Sequence, residues 1–181
     1  CKEKGVAVGA HPGYPDLMGF GRRAMAVNPG EAKAYMIYQL GALQAFCDSY
    51  GVTLQHMKLH GAFYNTACVT PALADAVLDG LQAVNPNIAA MVLSGSYIAK
   101  EAERRGIPVI QEVFADRGYT DEGTLVPRTE PGAFIKDPQE ALERVLMMVK
   151  EGKVVTNTGN TIDIVADSIC VHGDNPEACL L

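Results

Sequence analysis

The fold is decided by residues 51–114, which read GVTLQHMKLH GAFYNTACVT PALADAVLDG LQAVNPNIAA MVLSGSYIAK EAERRGIPVI QEVF. Short apolar runs predict buried strands, and the longer amphipathic stretches between them predict helices. The predicted strands are Thr53–Leu59, Ile88–Leu93 and Pro108–Phe114, and the predicted helices are Pro71–Ala83 and Ser96–Arg105. Strands that alternate with helices in this way indicate βαβ units around a mostly parallel sheet.

The same alternation continues outward in both directions. It predicts strands at Val6–Ala10 and Ser168–Val171, a weaker strand at Val154–Thr156, and helices at Pro29–Tyr50 and Pro138–Glu151. Three of the four predicted helices begin with a proline in the first turn, and three are followed by a glycine, as helix ends favour: Pro29, Pro71 and Pro138, and Gly51, Gly106 and Gly152.

The length of 181 residues suits five or six βα units in one domain over residues 1–181, with no internal repeat. A closed (β/α)₈ barrel usually takes about 250 residues, so the sequence favours an incomplete or reduced barrel over an open doubly wound sheet. Cys1–Lys4 reads as the last turn of a helix before Gly5, and Asn175–Glu177 reads as a helix start. We therefore expect the barrel to lack material at both ends.

Composition excludes several function classes. The 15 Lys and Arg against 21 Asp and Glu give a formal net charge of −6, without a basic face for nucleic acid. No apolar run approaches the roughly 18 residues of a membrane span, and the sequence does not open with a basic segment followed by an apolar one. We therefore expect neither secretion nor membrane insertion. The 5 cysteines are widely spaced, without a Cys-x-x-Cys pair, which favours reduced thiols in a cytoplasmic protein. A small molecule or another protein is the expected partner.

Polar residues cluster directly after the predicted strands. His11-Pro-Gly-Tyr-Pro-Asp16 follows the first strand, Lys58 and His60 lie at the exit of the second, and the later strands run into Asp116-Arg117-Gly-Tyr119 and His172-Gly-Asp174-Asn175. In parallel α/β folds the carboxyl ends of the strands meet at one edge, where active sites are built. We expect the functional residues at that edge.

The strand segment Gln55–His60 places His56, Lys58 and His60 on one face, because side chains alternate in a strand. In a barrel that face is the interior, where a lysine serves as a fixed cation for a carboxylate or an oxyanion. The alternative is an edge strand with a solvated polar face.

Two arginines of the long loop after Glu112, Arg117 and Arg128, are candidates to bind a substrate carboxylate or phosphate, since guanidinium binds such groups through two hydrogen bonds. The sequence contains no phosphate loop of the Gly-x-x-x-x-Gly-Lys-Ser/Thr type, no dinucleotide fingerprint and no Gly-x-Ser-x-Gly.

Five ordered motifs resemble the LamB/YcsF family. They are Gly9-Ala-His11-Pro-Gly-Tyr-Pro-Asp16 with Gly19-Phe-Gly-Arg22-Arg23, Lys58-Leu-His60-Gly-Ala-Phe-Tyr64-Asn65, Glu112-Val-Phe-Ala-Asp116-Arg117-Gly-Tyr119, Leu125-Val-Pro127-Arg128 and Val171-His172-Gly-Asp174-Asn175-Pro176. The resemblance covers essentially the whole chain. Leu59 and Phe63 depart from the family pattern, and the family's opening Asp-Leu-Asn-x-Asp-Leu-Gly-Glu strand is absent from this sequence.

The resemblance implies an α/β fold, the irregular (β/α) barrel of the glycoside hydrolase/deacetylase type. It also implies ATP-dependent hydrolysis of the lactam of 5-oxo-L-proline to L-glutamate, together with partner subunits B and C. ATP with Mg as its counter-ion would be shared with these partners, without a tightly bound cofactor or metal in this chain.

On this hypothesis the expected site residues divide into two sets. The catalytic set holds Lys58, His60, Asp116, His172 and Asp174, and the substrate-binding set holds His11, Tyr14, Asn65, Glu112, Arg117 and Arg128. Lys58 with Arg117 or Arg128 would bind the substrate carboxylate or the phosphoryl group. His60 or His172, with Asp116 or Asp174, would activate water and carry protons.

Two other hypotheses stay open. One is a metal-dependent deacetylase-like hydrolase acting on a carbohydrate, with histidines from three strand exits, His11, His60 and His172, around the metal. The other is a non-catalytic subunit that binds a carboxylate or serves as a scaffold for partner proteins.

Overall fold

The computed structural model describes residues 1–171 and contains the predicted alternation of strands and helices. The strands are β1 (Val8–Ala10), β2 (Leu54–Met57), β3 (Ala89–Leu93), β4 (Val109–Phe114), β5 (Lys153–Val155), β6 (Thr161–Asp163) and β7 (Ser168–Cys170). The helices are α1 (Pro29–Tyr50), α2 (Gly61–Val69), α3 (Pro71–Val84), α4 (Tyr97–Arg104) and α5 (Pro138–Glu151), preceded by a 3₁₀ turn at Lys2–Lys4. Every strand and helix predicted within residues 1–171 is present, which confirms the α/β class, and the helix start predicted at Asn175–Glu177 lies outside the described residues.

The main sheet has five strands in the order β1-β2-β3-β4-β7. The pairs β1–β2, β2–β3 and β4–β7 are parallel, and β5 and β6 form a separate antiparallel pair. Parallel strands require crossover connections, which the helices supply.

The chain divides into two compact units. The first contains Cys1–Val92 and Tyr97–Ile110, and the second contains Leu93–Ser96 and the chain from Gln111 onward. In the first unit, α1 and α3 pack so closely that a Cβ on Gly80 of α3 would lie 2.6 Å from the Cβ of Met36. In the second unit, the core includes Tyr119, Val126 and Met148, all almost fully buried.

Local sequence explains the ends of α1. Asn28 accepts a hydrogen bond from the amide of Glu31, and the Glu31 carboxylate accepts one from the amide of Asn28, both at 3.0 Å. This capping box satisfies two amides that the first helical turn leaves without a partner. Gly51 then ends the helix in the left-handed conformation, with φ of 57°.

Two elements, α2 and β6, were not predicted. Helix α2 reads GAFYNTACV, which is rich in residues of low helix propensity, and it buries Phe63, Tyr64, Ala67 and Cys68. Tertiary burial stabilises it where the local sequence does not. Strand β2 also ends earlier than predicted, at Met57 rather than Leu59.

No single helix within residues 1–171 is long and apolar enough to cross a membrane, although α2 and α3 together, bent by 116° at the break between them, pass the same test of length and composition.

Candidate active site

The polar residues that follow β1 and β2 lie side by side in the first unit. The pairing of the two strands continues beyond their ends, because the amide of Lys58 donates to the carbonyl of Ala10 at 2.9 Å and that of His60 to Pro12 at 2.8 Å. The two-residue alternation therefore persists through Lys58 and His60, which are half-buried, while Leu59 between them is buried. This continuation brings His11 and His60 together.

The two imidazoles contact each other through ring nitrogens. Nδ1 of His60 lies 3.1 Å from Nε2 of His11, and the ring planes are inclined by 75°. The outer nitrogens face backbone carbonyls: Nδ1 of His11 is 2.7 Å from the carbonyl oxygen of Lys58, and Nε2 of His60 is 2.6 Å from that of Phe20. A carbonyl oxygen only accepts hydrogen bonds, so each outer nitrogen carries a hydrogen. The two inner nitrogens of neutral rings are then both acceptors. They form a hydrogen bond with each other only when one of them carries a further proton. Of the two residues, His11 is exposed and His60 is half-buried.

Glycines make room for the His60 ring. A Cβ on Gly21 would lie 2.8 Å from Cδ2 of His60, and one on Gly13 would lie 3.4 Å from the same ring atom. Gln39 of α1 fixes Gly13 with two hydrogen bonds, accepting from its amide at 3.0 Å and donating to its carbonyl at 2.9 Å. A side chain at Gly21 would therefore overlap the ring, whereas a Cβ on Gly13 would only come into van der Waals contact with it.

The turn after Pro15 is closed by an ion pair between the buried Asp16 and the exposed Arg23. The Asp16 carboxylate accepts hydrogen bonds from Nε of Arg23 at 3.0 Å, from Nη2 of Arg23 and from the amide of Gly19 at 2.9 Å. The hydrogen bonds from Arg23 lower the pKa of Asp16 to about 2. Neither Asp16 nor Arg23 was predicted as a site residue.

The other two predicted site residues of the first unit, Tyr14 and Asn65, differ in their exposure to solvent. Tyr14 is buried and stacks on Phe63 with ring centroids 4.6 Å apart. Its hydroxyl is buried and has no hydrogen-bond partner among residues 1–171. Asn65 lies on α2 with its side chain exposed. The substrate-binding roles of both residues stay predictions.

In the second unit, three predicted site residues in β4 and directly after it are buried. Glu112 is 1% exposed, Asp116 6% and Arg117 3%. The Arg117 guanidinium donates to the carbonyls of Ala133 at 2.9 Å and Val126 at 2.6 Å, and burial lowers its pKa to about 10. This arginine holds the loop backbone in place.

Arg128, in contrast, is exposed. Its guanidinium carbon lies 5.2 Å from the centroid of Phe134, and that of Arg117 lies at the same distance from the same ring. Of the two arginines predicted to bind an anion, only Arg128 has its side chain in contact with solvent.

Two further observations bear on the predicted site. His172 and Asp174 lie outside the described residues. Within residues 1–171, no group of three or more His, Cys, Asp or Glu side chains is arranged to hold a metal ion.

The sequence also missed the carbonyl of Phe20 as a partner of His60, since any residue type carries a carbonyl; the neighbouring glycines were the only signal.

Comparison with known proteins agrees with the family resemblance of the five sequence motifs. The sequence profile of the LamB/YcsF family matches residues 1–181. The A subunit of 5-oxoprolinase from Fusobacterium nucleatum subsp. nucleatum is 64% identical over 178 residues, which cover 98% of this chain and 69% of that protein. The corresponding A subunit of 5-oxoprolinase from Pyrococcus abyssi is 53% identical, with 98% of this chain and 70% of that protein covered.

A solved structure gives the same result at the level of the fold. The crystal structure of the lactam utilization protein from Thermus thermophilus superposes with a TM-score of 0.89 at 45% identity, covering 99% of this chain and 72% of that one. The predicted fold class is confirmed by this likeness, and the profile match over all 181 residues decides the family. The chain belongs to the LamB/YcsF family.

Proposed function

We propose that this chain is the A subunit of a 5-oxoprolinase, which opens the lactam of 5-oxo-L-proline with water to give L-glutamate. Relatives that carry this name, at up to 64% identity over nearly the whole chain, support the proposal. The structural observation that carries it is the contact between His11 and His60 at the ends of two neighbouring parallel strands.

The proposed reaction makes specific demands on the protein. A five-membered lactam is a stable amide, so its hydrolysis needs activation, and transfer of a phosphoryl group from ATP to the lactam oxygen would provide it. Water then adds to the carbon that carries the phosphorylated oxygen, and the C–N bond breaks to give an acyl phosphate, while the departing nitrogen takes up a proton. A second water releases inorganic phosphate and leaves L-glutamate. A site for this reaction needs a cation for the carboxylate or phosphoryl group, and groups that carry protons.

Within the first unit, Lys58 is the candidate cation, and His60 is the candidate proton carrier. In this conformation His60 directs one ring nitrogen to the Phe20 carbonyl and the other to His11. We therefore infer that His60 exchanges protons through His11, the exposed member of the pair. For the second unit, we retain Arg128 as a candidate for anion binding, with Asp116, His172 and Asp174 as candidates for proton transfer.

The use of ATP and the participation of subunits B and C are part of the proposal. A partner that supplies the phosphate-binding elements would account for the lack of a phosphate loop in this sequence. A cytoplasmic location, where ATP is available, is likewise proposed.

The test is release of glutamate from 5-oxo-L-proline and ATP by the full-length protein mixed with subunits B and C, with each component omitted in turn. Release that requires this subunit supports the proposal, and absence of release from the complete mixture contradicts it. In the latter case, metal content and deacetylation of carbohydrate substrates would be measured next.

Lys58→Ala tests the predicted cation within the same assay. We expect it to abolish turnover and leave the fold intact, because the strand pairing at this position uses only the backbone of Lys58. Lys100→Ala, on the exposed side of α4, is the matched control and should retain full turnover. Unchanged turnover in Lys58→Ala would contradict its assignment.

A further inference from the structure

The orientation of the His60 ring depends on one backbone carbonyl. Nε2 of His60 lies 2.6 Å from the carbonyl oxygen of Phe20, and Nδ1 lies 3.1 Å from Nε2 of His11. A half-turn of the ring about its Cβ–Cγ bond would direct carbon atoms at both partners, so both contacts would be lost. The position of the Phe20 carbonyl therefore decides which nitrogen of His60 carries the hydrogen and which one faces His11.

Phe20 holds that position in an unfavourable backbone conformation. Its φ is 54°, in the left-handed region, and its side chain is 64% exposed. A residue with a Cβ rarely adopts this conformation unless its surroundings impose it. The Phe20 ring contacts His60 edge to face, with centroids 5.1 Å apart, and lies 5.2 Å from the Arg22 guanidinium carbon. Because most of this side chain is still exposed, we expect a further constraint from the backbone on either side.

Asp16 supplies this constraint on both sides of Phe20. Its carboxylate accepts from the amide of Gly19 at 2.9 Å, and its carbonyl accepts from the amide of Gly21 at 2.9 Å. Arg23, three residues beyond Phe20, donates to the same carboxylate through Nε at 3.0 Å and through Nη2. Asp16 is 7% exposed, and its oxygens fill the space that a Cβ on Gly19 would need.

We propose that Asp16 is a positioning residue for His60: it closes the turn of residues 16–23 so that the Phe20 carbonyl stays on Nε2 and Nδ1 faces His11. Arg23 assists by holding the Asp16 carboxylate. Asp16 itself contacts neither imidazole among the hydrogen bonds of the described chain, so its effect passes through the backbone of Phe20. The consequence for turnover rests on the proposed function, whereas the consequence for the His60 ring does not.

The first experiment is ¹⁵N NMR of histidine side chains in the full-length protein, with His60 assigned by the loss of its signals in His60→Gln. We expect wild-type His60 to show a hydrogen on Nε2 that exchanges slowly with solvent. In Asp16→Ala, this signal should broaden or exchange at least tenfold faster, because the carbonyl no longer holds the ring. Asp48→Asn, an exposed aspartate of α1, is the control and should leave the His60 signals unchanged.

Two further variants keep the proposal testable if Asp16→Ala fails to fold. Asp16→Asn retains an acceptor for Gly19 and should restore most of the wild-type signal. Arg23→Gln, whose side chain is 66% exposed in the wild type, should fold and give an intermediate exchange rate. A folded Asp16→Ala protein with wild-type His60 signals overturns the proposal. If Asp16→Ala does not fold, a wild-type exchange rate of the His60 hydrogen in Arg23→Gln overturns it.

Turnover then separates positioning from binding. In the glutamate-release assay, Asp16→Ala should lower kcat at least tenfold and change KM for 5-oxo-L-proline by less than threefold, and Asp16→Asn should recover most of kcat. An Asp16→Ala protein with altered His60 signals and wild-type kcat would overturn the role in catalysis. If the wild type releases no glutamate, the proposed function fails, and the NMR result still decides whether Asp16 positions His60.

Discussion

Replacement of Gly21 by alanine should disturb the candidate site more than the fold. The new Cβ would lie 2.8 Å from Cδ2 of His60, and the position has φ of 64°. The left-handed conformation costs an alanine about 1–2 kcal/mol, and loss of the hydrogen bond between His60 and Phe20 costs about 1 kcal/mol. We expect the free energy of unfolding in urea to fall by about 2–3 kcal/mol. The ring has to move by about 0.6 Å to restore an ordinary contact of about 3.4 Å, which should lower kcat for glutamate release by about 10-fold.

Gly106→Ala separates the effect of the left-handed backbone from the effect of the overlap with His60. Gly106 has φ of 69° and nothing within 4 Å of an added Cβ, so its variant pays the conformational cost without touching a histidine. It should lose about 1–2 kcal/mol of stability and keep wild-type kcat. If Gly21→Ala also keeps wild-type kcat, the His60 ring is not where catalysis requires it to be, and the reasoning is refuted.

Three further predictions concern stability. Arg117→Met should lower the free energy of unfolding in urea by about 1–3 kcal/mol, since the buried carbonyl of Val126 loses the guanidinium donor and that of Ala133 keeps only the amide of Gly118. A loss below about 0.5 kcal/mol would contradict this role. Because the pKa of Asp16 falls from 3.8 to about 2 on folding, the ionised carboxylate stabilises the fold fully above about pH 4, and this effect is lost as the pH falls towards 2. The free energy of unfolding of Asp16→Asn should therefore decrease less steeply than that of the wild type between about pH 4 and pH 2. Gly80→Ala should cost about 1–3 kcal/mol by thermal or urea unfolding, because its Cβ would overlap Met36. A Cβ on Gly41 of α1 would meet nothing within 4 Å, so Gly41→Ala should instead raise the free energy of unfolding by up to about 1 kcal/mol. Equal effects of Gly80→Ala and Gly41→Ala would argue against the close packing of α1 on α3.

The sequence was most informative where structure depends on neighbouring residues. The bounds of α1 and α5 were predicted to the residue, and the predicted strands end within two residues of the observed ones. Asn28, Pro29 and Gly51 mark the ends of α1 by hydrogen bonds and backbone preferences that act within a single turn. Helix α2 escaped prediction because its stability comes from burial rather than from its own sequence.

The candidate site divides in the same way. Parallel strands place their carboxyl ends at one edge, so the meeting of His11 and His60 after β1 and β2 followed from the order of the elements. The same rule applied to Arg117 did not predict its burial, because the loop that supplies the carbonyls of Val126 and Ala133 folds back on it through contacts 9 and 16 residues away.

By itself, then, the sequence determined the α/β class, the ends of the long helices and the polar residues that follow the strands, since these depend on periodicity and on capping within a few residues. Only the tertiary structure decided that the Phe20 carbonyl orients His60, that Asp16 closes the turn behind it, and that Arg117 binds backbone. The contacts of His60 with Phe20 and of Arg117 with the loop join atoms 9 to 40 residues apart, and their acceptors are backbone carbonyls, which are the same in every residue type. A pattern of side chains therefore carries no signal for them.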